Sequence, residues 1–238
     1  MTERVYLDWN ATAPLRPEAR AAMLEAMEVV GNPSSVHAEG RAAKAIVEKA
    51  RGQVARLVGC EPSEVVFTSG ATEAAAIAVN QKALHGGRFL ALPTEHECVL
   101  KWSDVEVRSI VNQKGKLDPK GVDGLFAFAH SSLNGEKSWQ SDRKPVALFA
   151  NSMANGETGL VSLMPGEQFY VNMSITGKVP TATLTDLAQS AGKMDVEFRE
   201  TAIDYALVSG HKCGAAKGVG CLILRDGIDL LPYHRGGG

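Results

Sequence analysis

Cysteine is scarce and scattered in this sequence. The four present, Cys60, Cys98, Cys213 and Cys221, form no C-x-x-C pair. That excludes a disulfide scaffold or a local zinc motif and leaves reduced, cytoplasmic thiols as the expectation. An excess of one charge is also missing. Lys and Arg number 25 against 27 Asp and Glu, a formal net charge of −2, which makes no electrostatic case for nucleic acid or an anionic membrane as partner. No apolar run approaches the ~20 residues that span a bilayer, and the N-terminus has no signal-peptide pattern. Internal repeats and low-complexity segments are absent too. What remains is an ordinary globular composition, 45% hydrophobic and 22% charged over 238 residues, enough for one large domain with a substantial core.

Against that background one stretch stands out, Ser209-Gly210-His211-Lys212. It follows the apolar run Tyr205 to Val208 and precedes a Gly-rich turn, Cys213 to Gly218, and a second apolar run, Val219 to Leu224. Both runs read as buried strands. A strand ending on Ser, His and Lys delivers two hydrogen-bonding side chains and an amine to the sheet edge where open α/β sheets bind ligands. A lysine there can form a Schiff base if burial or nearby cations depress its pKa. Taken alone, it reads as a solvated turn residue.

The rest of the chain supplies company for it. Tyr6 to Pro14 is an extended leading segment, and Pro17 opens a helix carrying Ala19, Met23, Ala26, Met27 and Val30 before Gly31 stops it. Gly31-Asn32-Pro33-Ser34-Ser35-Val36-His37 is a loop by its turn chemistry. A second amphipathic helix follows, with Ala42, Ala45, Ile46, Val54 and Leu57 expected on the buried face. Val65 to Thr68 reads as a strand, then Ser69-Gly70-Ala71-Thr72-Glu73 as a turn into an Ala-rich helix to Ala83, closed by Gly86-Gly87. That arrangement aims backbone N–H groups at an anion, or is simply a tight strand-to-helix connection. Arg88 to Leu92 is the next strand, leading to Thr94-Glu95-His96-Glu97, where His96 is either a solvated loop residue or an aromatic platform. Further strands are expected around Val105 to Val111, Leu125 to Ala129 and Val146 to Ala150, with a surface loop from Ser131 to Lys144. Asn155-Gly156-Glu157-Thr158-Gly159 comes next. Val161 to Thr181 shows neither helical nor strand periodicity, and Thr183 to Asp186 looks like another strand end. Strands alternating with helices argue for a mainly parallel sheet covered on both faces.

Four strand-end clusters thus recur: Gly70-Ala71-Thr72, Glu95-His96, Asp186-x-x-Gln189 and Ser209-Gly210-His211-Lys212. Together with Leu7-Asp8 to Pro14, Gly31 to His37 with Gly40-Arg41, Asn155 to Gly159, Ser190-x-Gly192-Lys193 and His234 to Gly238, their order and spacing resemble the class V aminotransferase family of pyridoxal-phosphate (PLP) enzymes, and within it the cysteine desulfurases. The resemblance implies an α/β fold, the large domain of PLP-dependent transferases of fold type I. It would fill residues 1–238 with a leading segment at 1–16, the C-terminal small domain being absent. It implies conversion of L-cysteine to L-alanine, with sulfur passed to an enzyme cysteine for iron–sulfur cluster or thio-cofactor assembly, in a homodimer that hands sulfur to an acceptor protein. Lys212 would bind PLP through its amine and later carry the Cα proton. His96 would stack on the ring. Asp186 would pair with the pyridine nitrogen and keep it protonated, although its position also suits a helix N-cap. Gln189 would reach the ring's phenolic oxygen, Asn155 would contact the cofactor, and Ala71, Thr72, Ser209 and His211 would hold the phosphate. No metal is implied. Other activities of the family, a selenocysteine lyase or an aminotransferase, and a catalytically silent PLP- or partner-binding fragment are the alternatives.

Two features depart from the family pattern. Gly156 stands where a second asparagine is usual, so Asn155 could substitute only if its loop shifts. The sequence also runs out at Gly236-Gly237-Gly238. The family's partner-facing phosphate contact, substrate-carboxylate arginine and persulfide cysteine would come later, so little turnover is expected of these 238 residues alone. Of the cysteines present, Cys98 is the least unsuited to carry sulfur, and Cys213 is read as a buried small residue.

Overall fold

A computed structural model describes residues 4–84, 87–104, 146–159, 161 and 182–232. The strands expected around Val105 to Val111 and Leu125 to Ala129, the loop from Ser131 to Lys144, the stretch from 162 to 181 and the motif His234 to Gly238 lie outside these residues. Six short apolar runs become one sheet: β1 (Val65–Thr68), β2 (Arg88–Ala91), β3 (Val146–Ser152), β4 (Ala182–Asp186), β5 (Tyr205–Ser209) and β6 (Gly220–Leu224), in the order β1-β6-β5-β4-β3-β2. Neighbours among β2, β3, β4 and β5 are parallel, while β6 runs antiparallel to both β1 and β5. The five other strands therefore share one direction, and their carboxyl ends meet along one edge. The expected mainly parallel sheet is present, with one reversed strand that the alternation of apolar runs did not announce.

The strands read as continuous apolar runs because both faces are covered. Helix α3 (Ala71–Asn80) packs Ala74, Ala75 and Ala78 against Phe89, Leu148, Leu184, Tyr205, Leu207 and Leu222 on one face. On the other, Ala55 and Val58 of helix α2 (Ala38–Val58) join Phe198, Ile203, Ala206, Val208, Cys221 and Ile223. Tyr205 and Leu207 lie in the first cluster and Ala206 and Val208 in the second, the period of two that a pleated strand dictates. Helix α2 begins where His37 Nδ1 accepts from the Gly40 N–H at 3.4 Å and ends at Gly59, whose left-handed φ of 67° suits glycine.

Two amphipathic expectations are corrected. The buried side of α2 is Gly40, Ala55 and Val58; Ile46 and Leu57 stay substantially exposed. Helix α1 (Pro17–Met27) has no buried residue at all, and Met23, Leu24 and Met27 are exposed. The 3.6-residue repeat marks which side chains share a face, but not whether anything packs on it. After Asp186, where β4 ends, the chain makes a single turn, with Ala191 N–H bonded to Leu187 O at 2.8 Å.

One close approach fixes the edge that matters. A side chain on Gly220 would bring its Cβ within 2.6 Å of both Gly70 Cα and Val208 O. The bare glycine lets β6 press against the turn before α3. Because Gly220 pairs with Thr68 on one side and Ser209 on the other, the ends of β1 and β5 are held beside that turn.

Candidate active site

Each carboxyl end along this edge delivers a polar residue. β1 leads to Gly70 and the N-terminus of α3, where no side chain caps the helix. β2 leads to Glu95 and His96, and His96 opens the short helix α4 (Glu97–Leu100) by accepting the Cys98 N–H on Nδ1 at 3.1 Å. β3 ends on Ser152, which pairs in register with Asp186 at the end of β4. β5 ends on Ser209 and passes into the tight turn Gly210–Lys212. The resulting cavity, of about 970 Å³, is lined by Ala71, Thr72, His96, Asn155, Asp186, Gln189, Ser209, His211 and Lys212. All nine residues singled out in the sequence therefore face one space.

Asp186 is the most constrained of them. Its Oδ1 accepts the Ala188 N–H at 2.8 Å, so the turn-capping role is real, yet the residue also lines the cavity. Burial pushes its carboxyl above the usual range, opposed by the Ala188 N–H and by the nearby Lys212 and His96. A buried carboxylate in that state favours a cationic partner in the cavity. At the opposite wall, the Gly70 turn presents open space: a Cβ there would meet nothing within 4 Å. An uncapped helix start beside Ser209 and His211 is suited to an anion. The donor set thus offers an anion cradle, a primary amine and a buried acid within one cavity.

Asn155 lines the wall, but its amide is committed elsewhere. Oδ1 accepts from the Glu157 N–H at 3.0 Å and from Thr158 N–H and Oγ1 at 2.8 and 3.1 Å, while Nδ2 donates to Thr94 O. In this arrangement the side chain builds its own turn. Gln189 is also engaged: Nε2 donates to Asn10 O at 2.9 Å and Oε1 accepts from Lys193 at 2.8 Å. It occupies the space beside Gly156, where a Cβ would lie 2.9 Å from Gln189 Nε2.

Several lining residues were not singled out from the sequence, among them Asn10, Thr12, Ser152 and Lys217. Thr12 reaches the site across 199 positions to bond His211, a contact that no local pattern signals. Cys98 is on the wall, whereas Cys213 is not: its Sγ turns to Gly210 O at 3.2 Å. Burial, reinforced by Asp186, pushes the Cys98 thiol up to about 11. Burial lifts Cys60 and Cys221 to about 12. A thiolate is strongly disfavoured at all three.

Glu95 sits just behind the wall, buried, with Oε1 accepting the Ser152 N–H at 3.0 Å and Oε2 accepting from Ser152 Oγ. Burial raises its carboxyl from 4.5 to about 7, with Ser152 opposing and Asp186 adding to the rise. The folded protein therefore holds this proton more tightly than the unfolded chain. Its stabilising effect is complete below about pH 4.5 and is lost as pH rises through about 7. Glu95→Gln in the cofactor-free protein is expected to remove that slope. Relative to the wild type it should gain about 3 kcal/mol on going from pH 4.5 to 7.5, read from urea unfolding at both pH values. A wild-type-like pH slope in the variant would show that Glu95 is not the titrating group.

The profile of the family described as aminotransferase class-V matches residues 5–238. A cysteine desulfurase from Frankia sp. (strain EuIK1) is 37% identical over 243 residues, covering 98% of this chain and 56% of the relative. Among solved structures, a NifS-like protein superposes with a TM-score of 0.80 at 29% identity, over 99% of this chain and 63% of its own. A structure of SspA in complex with cysteine gives 0.75 at 27%, over 99% and 66%. The chain spans little more than half the length of the Frankia relative. A match over nearly the whole of the sequence, on a sheet whose strand ends gather an anion cradle, an amine and a buried acid, places this chain in the class-V aminotransferase family.

Proposed function

We propose that this chain is the PLP-binding portion of a cysteine desulfurase, acting on L-cysteine to give L-alanine and transferable sulfur. The observation that carries the reading is the meeting of Lys212, buried Asp186 and the uncapped start of α3 in one cavity. The residues fit the group. The helix start with Thr72, Ser209 and His211 would take its phosphate, Asp186 its ring nitrogen, and Lys212 its aldehyde carbon. When bound, PLP supplies an electron sink for bonds at the amino acid's α-carbon. The chain's own residues then divide the work. Asp186 keeps positive charge on the ring side, His96 covers a face of the cavity, and Lys212 is the base placed to move a proton at Cα.

The similarity to a cysteine desulfurase, and the cysteine held in the SspA structure, support L-cysteine as substrate. A sulfur-acceptor protein, a homodimer and a reducing, cytoplasmic setting belong to the same reading, the last supported by four free cysteines. Among the described residues no helix is long and apolar enough to cross a membrane. The raised Cys60, Cys98 and Cys221 thiols favour a persulfide carrier other than these three. The test is the visible spectrum of purified protein mixed with PLP. A new absorption band should develop, and L-cysteine should change it. Protein that binds no PLP overturns the reading.

A further inference from the structure

The leading segment crosses the mouth of the site and is tied to two separate strand-end loops. Asn10 O accepts from Gln189 after β4. After β5, Ala13 N–H donates to His211 O at 2.9 Å and Arg16 N–H to Gly214 O at 2.9 Å. Between these anchors Thr12 makes two contacts with a single residue. Its hydroxyl donates to His211 O at 3.3 Å and lies 3.1 Å from His211 Nδ1. A hydroxyl has one proton. That proton can point to the ring or to the carbonyl, and only the second makes both contacts hydrogen bonds: the oxygen then accepts from the ring, Nδ1 carries the hydrogen and Nε2 is left for the cavity.

We propose that Thr12 is a positioning residue that fixes the tautomer of His211, so that the site takes up one proton when it binds an anion. A neutral ring protonated on Nδ1 offers a lone pair at Nε2, which repels an anion. To donate there, the ring must gain a second proton from solvent and become imidazolium. The assignment of the nitrogens stands on the Thr12 contacts alone; identifying the anion with the cofactor's phosphate rests on the function proposed above. The charged and titratable groups sharing the cavity are Lys212 and Lys217 from the ring's own loop, Asp8 from the leading segment, Glu73 from α3, His96 after β2, Glu157 after β3 and Asp186 from β4. In the empty site, burial, then Lys212 and Lys217, hold His211 below its ordinary value. A bound anion offsets the two lysines and reverses that pressure. Affinity should therefore fall as pH rises through the window between the free and the anion-bound pKa of His211.

The test uses protein labelled with [15N]histidine, the His211 signals being assigned by their loss in His211→Asn. Sulfate serves as the probe because it does not itself titrate near neutral pH. The wild type above the His211 transition is expected to show Nδ1–H, and both ring nitrogens protonated when sulfate saturates. Sulfate affinity should weaken about tenfold per pH unit inside that window, the slope of one linked proton. Thr12→Val should release the ring toward Nε2–H and flatten the slope, since a neutral ring can then donate, and Thr12→Ser should restore both. Nε2–H in the wild type, a flat sulfate profile, or Thr12→Val behaving as wild type each overturns the proposal. PLP labelling of Lys212 is scored separately. Sulfate linkage without PLP binding would defeat the cofactor reading and leave the Thr12 assignment standing, whereas PLP binding without linkage would do the reverse.

Discussion

Protein incubated with PLP and reduced with borohydride is expected to carry the pyridoxyl label on Lys212, and Lys212→Ala is expected to carry none. The expectation rests on how firmly that lysine is presented. It follows a strand whose five residues are all buried, and the turn that bears it is packed from two sides. A Cβ on Gly210 would lie within 2.9 Å of Val219 Cγ2 and carbonyl O, so the turn's backbone lies against the start of β6. The leading segment closes over the same turn through two bonds to the neighbouring carbonyl, from Ala13 N–H and Thr12 Oγ1. Positioning of this kind turns an encounter into an effectively intramolecular step, worth several kcal/mol of barrier. The competitor is Lys217, which lines the same cavity from a more exposed loop. Peptide mapping separates the two. Label on Lys217 in the wild type would transfer the role to that residue, and label surviving in Lys212→Ala would show that placement in the turn confers no selectivity.

Much of this site was readable because its chemistry is local to strand ends. Small residues at Gly70-Ala71-Thr72, a polar pair at Glu95-His96 and the Ser-Gly-His-Lys turn each interrupt an apolar run, and parallel topology then brings such interruptions to one edge. Contacts that depend on two distant segments left no trace. Thr12 meets His211, and Asn10 meets Gln189, because the leading segment folds back over the edge; in the sequence both belong to a small polar stretch like many others. Hydrogen-bond capacity was a second blind spot. In the sequence nothing signals that the Asn155 oxygen accepts three bonds within its own turn. A third was the partnering of helix faces. The pattern in α1 is genuine, but none of its residues is buried.

The other large effect is expected at Asp186, and it should separate stability from function. Two readings of this residue were open, a turn cap and, under the function proposed above, a partner for a cationic ring. The cap is made, with Oδ1 accepting the Ala188 N–H, and the same residue lines the cavity. Asp186→Asn keeps an oxygen for the cap and removes the charge. In the cofactor-free protein the buried carboxyl is held above its usual range by desolvation. The folded state therefore binds that proton more tightly than the unfolded chain, and stability is lost as pH rises above the ordinary carboxylate range, toward neutrality. Asn does not ionise, so Asp186→Asn should melt higher than wild type at pH 7 and close to it at low pH. With PLP the order reverses in function. The phosphate contacts and Lys212 are untouched, so the variant should still take up PLP, but the ring loses the anion that keeps its nitrogen protonated. On the function proposed above, turnover at Cα of L-cysteine, measured as exchange of its α-proton with solvent deuterium, a step that uses only Lys212 and the ring, should fall at least about a hundredfold, the scale for removing one preorganised electrostatic partner from a buried site. Asp186→Ala should show the same loss of turnover without the gain in stability, because the cap goes with the charge. A stable Asp186→Asn protein with wild-type turnover would reduce this residue to its cap. A melting temperature at pH 7 no higher than the wild type's would mean that the empty site does not strain the carboxylate in the way its burial requires.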